Sequence, residues 1–248
     1  MSLRPFFTYF GGKYRAAPYY PTPRLPLIVE PFAGSAGYAT RYGAGRRVVL
    51  VERDPVVASV WRWLLAARPA DVLALPDVPD GGTVADLGLE PGAAALVGFW
   101  CNKGTAQPCQ RPSAWMRLEP GGAQFWGPVI RQRIAGQLAG IAAWTLIEGD
   151  YSDAPPIVAT WHVDPPYQQA GKHYRYGSAR LDYATLGAWC RALRGQVMVC
   201  ENAGADWLPF EPFAAMKATC GVHKAGGGRY SEEVVWPARE PYGQRRLF

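Results

Sequence analysis

Apolar and polar positions along the chain alternate in a way that predicts strands and helices in turn. A short apolar run predicts a buried strand at 25–32, and 35–43 reads as a helix that the following glycines close. The β-branched run at 46–54 predicts a second strand, and 55–67 predicts a second helix with Pro55 in its first turn. Strand, helix, strand, helix is the usual opening of a parallel α/β sheet.

The predicted sheet resumes only after a long interruption. Later strands are predicted at four places, namely 145–151, 157–167, 195–202 and 231–237. We therefore assign residues 1–57 and 145–248 to one α/β domain, and residues 58–144 to a region inserted into it.

The inserted region differs in character from the rest of the chain. Residues 76–92 carry four acids, no base and many glycines and prolines, which predicts a loop or linker. Residues 101–127 are aromatic, basic and rich in turn formers, whereas 128–144 places isoleucine and leucine at helical spacing and predicts an amphipathic helix. The insert is thus expected to be mostly helix and loop.

Composition narrows the classes of function. The chain carries 26 Lys and Arg against 20 Asp and Glu, and its net charge of +6 favours a polyanionic partner. Its five cysteines are scattered and its three histidines show no ligand spacing, so we expect no metal. Because the sequence has neither a signal-peptide pattern nor an apolar run of membrane-spanning length, we expect a soluble, cytoplasmic protein without a membrane partner.

The stretch VEPFAGSAG (29–37) lies where a predicted strand turns into a helix. Glycines there let the backbone approach a ligand, and the N-terminus of the helix is exposed. The G-x-G-x-x-G fingerprint of NAD and FAD sites is missing. Glu52 ends the second strand, where an acid can accept both hydroxyls of a ribose. Together, the glycine loop and Glu52 suit a nucleoside ligand without a pyrophosphate, such as S-adenosylmethionine. The alternative is that the loop is only a tight turn and Glu52 an ordinary surface acid.

The stretch DPPY (164–167) follows a predicted strand, so it lies at the carboxyl end of the sheet, where α/β proteins build their sites. Two successive prolines fix the backbone and remove two N–H donors, which leaves carbonyl acceptors facing outward. The Asp164 carboxylate beside such a carbonyl would aim two acceptors at one –NH₂ group. Tyr167 can stack on the ring that carries this amine. A proline-rich turn without chemistry is the alternative.

Five motifs resemble those of the Dam-type (D12 class) DNA adenine-N6 methyltransferases and occur in the same order. They are FGGK (10–13), VEPFAGSAG, VERD (51–54), GDY (149–151) and DPPY. The resemblance covers 5–67 and 145–170, and only thinly 195–236. It implies a Rossmann-like, S-adenosylmethionine-dependent methyltransferase sheet in which the insert is a small DNA-recognition region. It also implies double-stranded DNA as the partner, and we expect a monomer in solution.

The resemblance implies a role for each matching position. Lys13 would pair with the methionine carboxylate of S-adenosylmethionine, Glu52 would take the ribose, and Asp150 would bind the adenine ring of the cofactor. The other implied cofactor-binding residues are Tyr9, Phe10, Gly12, Glu30, Phe32, Ala33, Gly34 and Gly37.

The implied catalytic residues are those of DPPY. Asp164 and the Pro165 carbonyl would hold the target amine, Pro166 would complete the rigid turn, and Tyr167 would stack on the target base. Such a reaction needs no strong base, because two acceptors on the amine hydrogens return electron density to its nitrogen, so that positioning and electrostatics dominate. The base must first be flipped out of the duplex.

DNA-facing candidates come from charge and aromatic content. Residues 101–133 hold five bases and one acid, and 168–180 hold no acid and follow DPPY directly. Lys and Arg there are expected to meet phosphates, and a tyrosine to fill the space left by the flipped base. The candidates are Lys103, Arg111, Arg131, Lys172, Tyr174, Arg175, Tyr176 and, more weakly, Arg229.

The insert is shorter than the family's usual recognition region, so the target sequence stays open. It could be a short motif or almost none, as in a phage-encoded modifier. Cytosine-N4 methylation, RNA adenine methylation, an inactive DNA-binding relative and an NAD-linked oxidoreductase are the alternatives. Asp rather than Ser before the two prolines favours adenine, and the intact DPPY and glycine loop favour an active enzyme.

Overall fold

The computed structural model describes residues 3–118, 123–217 and 230–237 of the chain. Its helices and strands, in chain order, are β1 (Leu27–Glu30), α1 (Gly37–Tyr42), β2 (Arg47–Glu52), α2 (Pro55–Ala66), α3 (Pro69–Leu73), α4 (Pro91–Trp100), α5 (Ala114–Leu118), α6 (Pro128–Gln137), β3 (Trp144–Glu148), β4 (Val158–Val163), α7 (Tyr183–Ala192), β5 (Arg194–Asn202), β6 (Glu211–Lys217) and β7 (Tyr230–Pro237).

The described strands form one mixed sheet of seven strands in the order β3-β2-β1-β4-β5-β7-β6. The first five are parallel to one another, whereas β7 runs antiparallel to both β5 and β6. The order 3-2-1-4-5 is that of doubly wound α/β sheets. The expected α/β class is therefore confirmed, and the strand order reverses between β1 and β4.

The central strands alternate their side chains between two hydrophobic layers. Ile28 and Leu50 face the layer that holds the N-terminal segment and α2, α4 and α6, whereas their neighbours Val29 and Val51 face the layer under α7. A period of two with both faces buried is typical of central parallel strands. It explains why these strands read as continuous apolar runs in the sequence.

The inserted region shares its core with the start of the chain. The expected boundary between residues 57 and 58 falls inside α2, whose Trp61 is fully buried. Helix α4 packs along α2 with Gly92 against the backbone of Ser59. The ring of Phe7 meets the ring of Trp61 edge-on at 5.5 Å. The insert is therefore a helical layer on one face of the sheet rather than a hydrophobic unit of its own.

Several elements differ from the sequence-based expectation. The apolar run at 94–100 is the end of α4, which is buried almost all round and so shows no amphipathic pattern. The helix expected at 128–144 ends at Gln137, continues as a 3₁₀ turn and gives way to β3 at Trp144. Helices α3, α5 and α7 and strand β6 were not predicted.

Candidate active site

A cleft opens at the carboxyl ends of β1 and β4, where the strand order reverses. It holds about 810 Å³ of empty space when its open mouth is included. Open α/β sheets bind ligands at such a switch point, because the chain connections on its two sides leave over opposite faces of the sheet. The topology therefore selects this cleft as the candidate site.

The cleft collects residues from all five motifs. Every residue expected to bind a cofactor lines it, namely Tyr9, Phe10, Gly12, Lys13, Glu30, Phe32, Ala33, Gly34, Gly37, Glu52 and Asp150. Of the four residues expected to be catalytic, Asp164 and Pro166 line it, whereas Pro165 and Tyr167 are not part of its wall.

The FGGK segment and the glycine loop fit against each other. Gly11 has a φ of +71°, a left-handed conformation that glycine adopts without strain. Gly37, at the start of α1, packs closely against the backbone of the FGGK segment and the residue after it. A Cβ at Gly37 would lie 2.5 Å from the backbone nitrogen of Tyr14 and 2.8 Å from that of Lys13. This close packing is what carries Lys13 into the cleft.

Lys13 is a buried cation paired with the acid of DPPY. It is 6% exposed, and its Nζ lies 2.9 Å from Oδ1 of Asp164. The same ammonium donates to the Gly11 carbonyl at 2.9 Å and lies 4.8 Å from the centre of the Tyr167 ring. Burial lowers the pKa of Lys13, but the carboxylates of Asp164 and Glu233 outweigh it and raise the pKa above its usual value. The expected partner of Lys13 was the cofactor's carboxylate.

The DPPY turn is held rigid by its neighbours. The Pro166 carbonyl accepts a hydrogen bond from the Tyr183 hydroxyl at 2.6 Å, and the Gln168 amide donates to the Glu201 carboxylate at 3.0 Å. Burial raises the pKa of Tyr167, so its hydroxyl stays protonated, and in the described part of the chain this hydroxyl has no hydrogen-bond partner. A turn fixed in this way needs little reorganisation when a ligand binds.

Glu52 presents a carboxylate to the cleft from the end of β2. It accepts hydrogen bonds from the backbone nitrogens of Gly34 at 2.8 Å and Asp54 at 2.7 Å. These bonds lower its pKa, but burial outweighs them and raises the pKa of Glu52 from 4.5 to about 7. The acid expected to take a ribose is thus fixed beside the glycine loop and titrates near neutral pH.

Two other acids of the cleft are already engaged within the protein. Oε1 of Glu30 accepts a hydrogen bond from the Ala39 nitrogen at 2.5 Å, which satisfies a free N–H in the first turn of α1. Oδ2 of Asp150 lies 3.0 Å from Nη1 of Arg53 in a partly exposed ion pair. Glu30 therefore caps a helix, and Asp150 anchors an arginine in the cleft wall.

Tyr174, one of the residues expected to face DNA, folds over the cleft. Its ring centroid lies 6.0 Å from that of Tyr9 and 5.5 Å from that of Phe10, and its hydroxyl donates to the Phe10 carbonyl at 3.3 Å. The glycine at position 11 leaves the room for this hydroxyl. Aromatic burial against the FGGK segment draws the residue inward.

Arg175 and Tyr176, also expected to face DNA, belong to the cleft wall. Nε of Arg175 lies 3.7 Å from Oδ2 of Asp54, and the guanidinium of Arg53 lies 4.8 Å from the Tyr176 ring centre. Charge attraction and a cation–π contact hold the two side chains at the cleft, where the Arg175 side chain is 45% exposed. Lys172, from the same segment, is exposed.

The basic residues of the insert differ in their exposure to solvent and in their partners within the protein. Arg131, which was expected to meet a phosphate, pairs with Asp77, and its side chain is 13% exposed. Arg111 is exposed and donates to the Gly81 carbonyl at 3.1 Å, and Lys103 is exposed. Arg229 lies outside the described residues.

Three residues of interest were not singled out from the sequence. Trp115, on α5, is 73% exposed, although it stands within a basic segment. The ring of Tyr151 stacks on that of Phe32 in the cleft wall at 5.3 Å, and its position directly after the acid of GDY was the signal. Glu233 is a buried acid within an apolar strand, a placement that charged residues rarely adopt without a partner.

The described ranges contain no cluster of three or more His, Cys, Asp and Glu side chains that could hold a metal ion. None of the helices in these ranges combines the length and the apolarity that crossing a membrane requires.

A scan of the chain against protein-family models gives no match, and a search of curated proteins gives none either. The functional interpretation therefore rests on the geometry and chemistry of the cleft.

We expect Gly37→Ala to destabilise the protein, because the new Cβ would meet backbone rather than a movable side chain. Overpacking of this kind costs about 1–3 kcal/mol. Urea unfolding measures it, with Gly136→Ala as the control, since a Cβ at Gly136 meets open space within helix α6. Equal stability of the Gly37 variant and wild type would show that the two segments are not packed as described.

We expect Glu52→Gln to remove part of the pH dependence of stability. Between pH 4.5 and about 7 the unfolded carboxyl is ionised while the folded one keeps its proton, so the free energy of unfolding falls as pH rises. The full shift corresponds to about 3 kcal/mol. Urea unfolding at about pH 5 and about pH 8 should show wild type losing stability relative to Glu52→Gln. A difference between the two proteins that stays constant with pH would contradict this.

Proposed function

We propose that the protein is an S-adenosylmethionine-dependent DNA methyltransferase that modifies the N6 amine of a flipped-out adenine in double-stranded DNA. Three features support the proposal: the position of the cleft at the switch point, Asp164 in the cleft wall, and the distribution of charge around the cleft.

The position of the Lys13 ammonium, beside Asp164 and over the Tyr167 ring, is the observation that carries the proposal. This N–H donor lies 2.9 Å from the Asp164 carboxylate and 4.8 Å from the centre of the Tyr167 ring. An amine attached to a flat base offers the same two features, a donor for the carboxylate and a face for the ring. The site is therefore suited to an exocyclic amine, which is the group that the reaction modifies.

The charge of the cleft favours a cationic ligand. Five acids line it, namely Glu30, Glu52, Asp54, Asp150 and Asp164, against the three cations Lys13, Arg53 and Arg175. A pyrophosphate would meet an unfavourable field there, whereas a sulfonium with an amino group would be attracted. This supports S-adenosylmethionine over a dinucleotide.

The residues of the cleft also fit the parts of this cofactor. Glu52 would accept the ribose hydroxyls, and the stacked rings of Phe32 and Tyr151 offer an apolar wall for an adenine beside Asp150. Tyr174 and Tyr176 would close the cleft over it. When bound, S-adenosylmethionine supplies an electrophilic methyl group.

The protein's own part in the chemistry is to hold and polarise the target amine. The Asp164 carboxylate in the cleft wall accepts one N–H, which returns electron density from the ring to the nitrogen. The motif assigns the other N–H to the Pro165 carbonyl, although Pro165 itself is not part of that wall. The same carboxylate can take the proton that the amine then loses. The DPPY turn is fixed by Tyr183 and Gln168, so this arrangement is preorganised and the rate gain comes from positioning and electrostatics.

Positive charge outside the cleft supports DNA as the substrate. The chain has a net charge of +6, whereas the residues that line the cleft include more acids than bases. Lys103, Arg111 and Lys172 are exposed, and Trp115 offers an exposed ring for stacking on a base. We keep the cytoplasm as the proposed location and a monomer as the proposed active form.

We expect wild type to form N6-methyldeoxyadenosine on PCR-amplified duplex DNA, which carries no modified bases, when it is incubated with methyl-labelled S-adenosylmethionine. Asp164→Ala and Asp164→Asn should lower the yield by about a hundredfold or more, because an electrostatic contact to the reacting group is lost. Asp80→Asn, in an exposed loop, is the control. Nucleoside digestion identifies the labelled base, and an equal yield from the Asp164 variants, or label on another base, would contradict the proposal.

We expect the double variant Lys103→Ala, Lys172→Ala to bind duplex DNA more weakly and with a flatter salt dependence. Each lost phosphate contact removes about 0.9 from the slope of log K against log salt, so the slope should shrink by about 2. Arg47→Ala is the control, because Arg47 is exposed at the start of β2, on the opposite edge of the sheet. An unchanged slope in the double variant would remove these lysines from the DNA-binding surface.

A further inference from the structure

The antiparallel strand β7 brings an acid to the edge of the sheet where the cleft opens. Because β7 runs against β5, its first residues lie beside the last residues of β5, and Glu233 is paired in register with Asn202. A parallel strand in this place would begin at the opposite edge. The reversal therefore adds Glu233 to the groups around the end of β4.

Glu233 is buried and held in one orientation. It is 9% exposed, and its Oε2 accepts a hydrogen bond from the Tyr20 hydroxyl at 2.7 Å. The Tyr20 ring is itself stacked on the Phe213 ring, with centroids 4.6 Å apart. The other carboxylate oxygen, Oε1, lies 3.9 Å from Nζ of Lys13. Among the described residues, no cation other than Lys13 lies within 4.0 Å of Glu233.

Lys13 thus lies near two carboxylates at unequal distances, of which Glu233 is buried and Asp164 is partly exposed. Its Nζ is 2.9 Å from Asp164 and 3.9 Å from Glu233. A neutral amine that donates to Oδ1 of Asp164 has to displace this ammonium, and a buried ammonium without a partner is strongly unfavourable. A short movement toward Oε1 of Glu233 would bring the ammonium into hydrogen-bonding distance of its second acid.

We infer that Glu233 is a positioning residue, which takes over the Lys13 ammonium when the amine of the target base occupies Asp164. The inference rests on the proposed function and adds a step to it. Glu233 keeps Lys13 charged and paired, and Asp164 is left free to accept the amine. Tyr20 holds the receiving carboxylate in place.

The carboxylate of S-adenosylmethionine is the competing destination for Lys13. The two destinations control different quantities. A contact to the cofactor's carboxylate sets the affinity for the cofactor, whereas Glu233 sets how readily the base reaches Asp164. Glu233 variants should therefore slow methyl transfer while the cofactor binds as tightly as before.

Three variants and a matched control test this. Glu233→Gln removes the charge at nearly constant shape, Glu233→Asp keeps the charge, and Tyr20→Phe removes one hydrogen bond. Glu232→Gln changes the adjacent, exposed glutamate of the same strand. Single-turnover methylation of PCR-amplified duplex DNA is measured at saturating DNA and S-adenosylmethionine, with the dissociation constants of both ligands and circular dichroism of each variant.

We expect Glu233→Gln to slow single-turnover transfer by about tenfold or more, with both dissociation constants within about twofold of wild type. Glu233→Asp should recover most of the rate, Tyr20→Phe should slow it several-fold, and Glu232→Gln should match wild type. If Glu233→Gln does not fold, Tyr20→Phe carries the test, and an unchanged rate in that variant overturns the inference.

An unchanged rate in folded Glu233→Gln overturns the inference. So does an equal loss in Glu233→Gln and Glu233→Asp, which would indicate packing, or a loss of cofactor affinity as large as the loss of rate. Wild type that methylates no DNA overturns the proposed function and the inference with it. An active wild type that is indifferent to Glu233 overturns the inference alone.

Discussion

The ion pair between Lys13 and Asp164 joins the start of the chain to the carboxyl end of β4, and the candidate site depends on it. The Lys13 side chain is buried and that of Asp164 is 18% exposed, so the pair forms only if the backbone around Lys13 approaches closely. Gly11 and Gly37 permit that approach, one through its left-handed φ and the other through its missing side chain. The glycines of two distant motifs thus serve one electrostatic contact.

The same contact shapes the rest of the cleft. Lys13 fixes the N-terminal segment. The rings of Tyr9 and Phe10 in this segment contact Tyr174, which folds inward and forms one wall of the cleft. Asp54 caps helix α2 and also lies near Arg175, so the second wall is tied to the second strand. The sheet places the acids at one edge, and aromatic residues of the neighbouring segments line the cleft beside them. A small cationic ligand and a planar amine are the partners that such a site suits.

Much of the fold and the cleft could be predicted because their signals are local. The first two strands and helices appear within about two residues of their expected ends, and the motif residues converge because carboxyl ends of parallel strands meet at one edge. Helix α4 could not be predicted from hydrophobic periodicity, because a helix buried on almost all sides has no amphipathic pattern. Glu233 could not be predicted either, because its partner Tyr20 is 213 residues away in the chain, a pairing that only the reversed strand creates.

Charge pattern alone does not tell which residues after DPPY are available to DNA. Tyr174, Arg175 and Tyr176, all expected to face DNA, line the cleft and have partners within the protein, while the Arg175 side chain is 45% exposed. Calorimetric titration of the purified protein with S-adenosylmethionine, in the absence of DNA, is the sharpest test of the proposed cofactor site. We expect one site per chain, from which S-adenosylhomocysteine displaces the cofactor and NAD does not. No heat of binding at millimolar cofactor, or displacement by NAD, would contradict it.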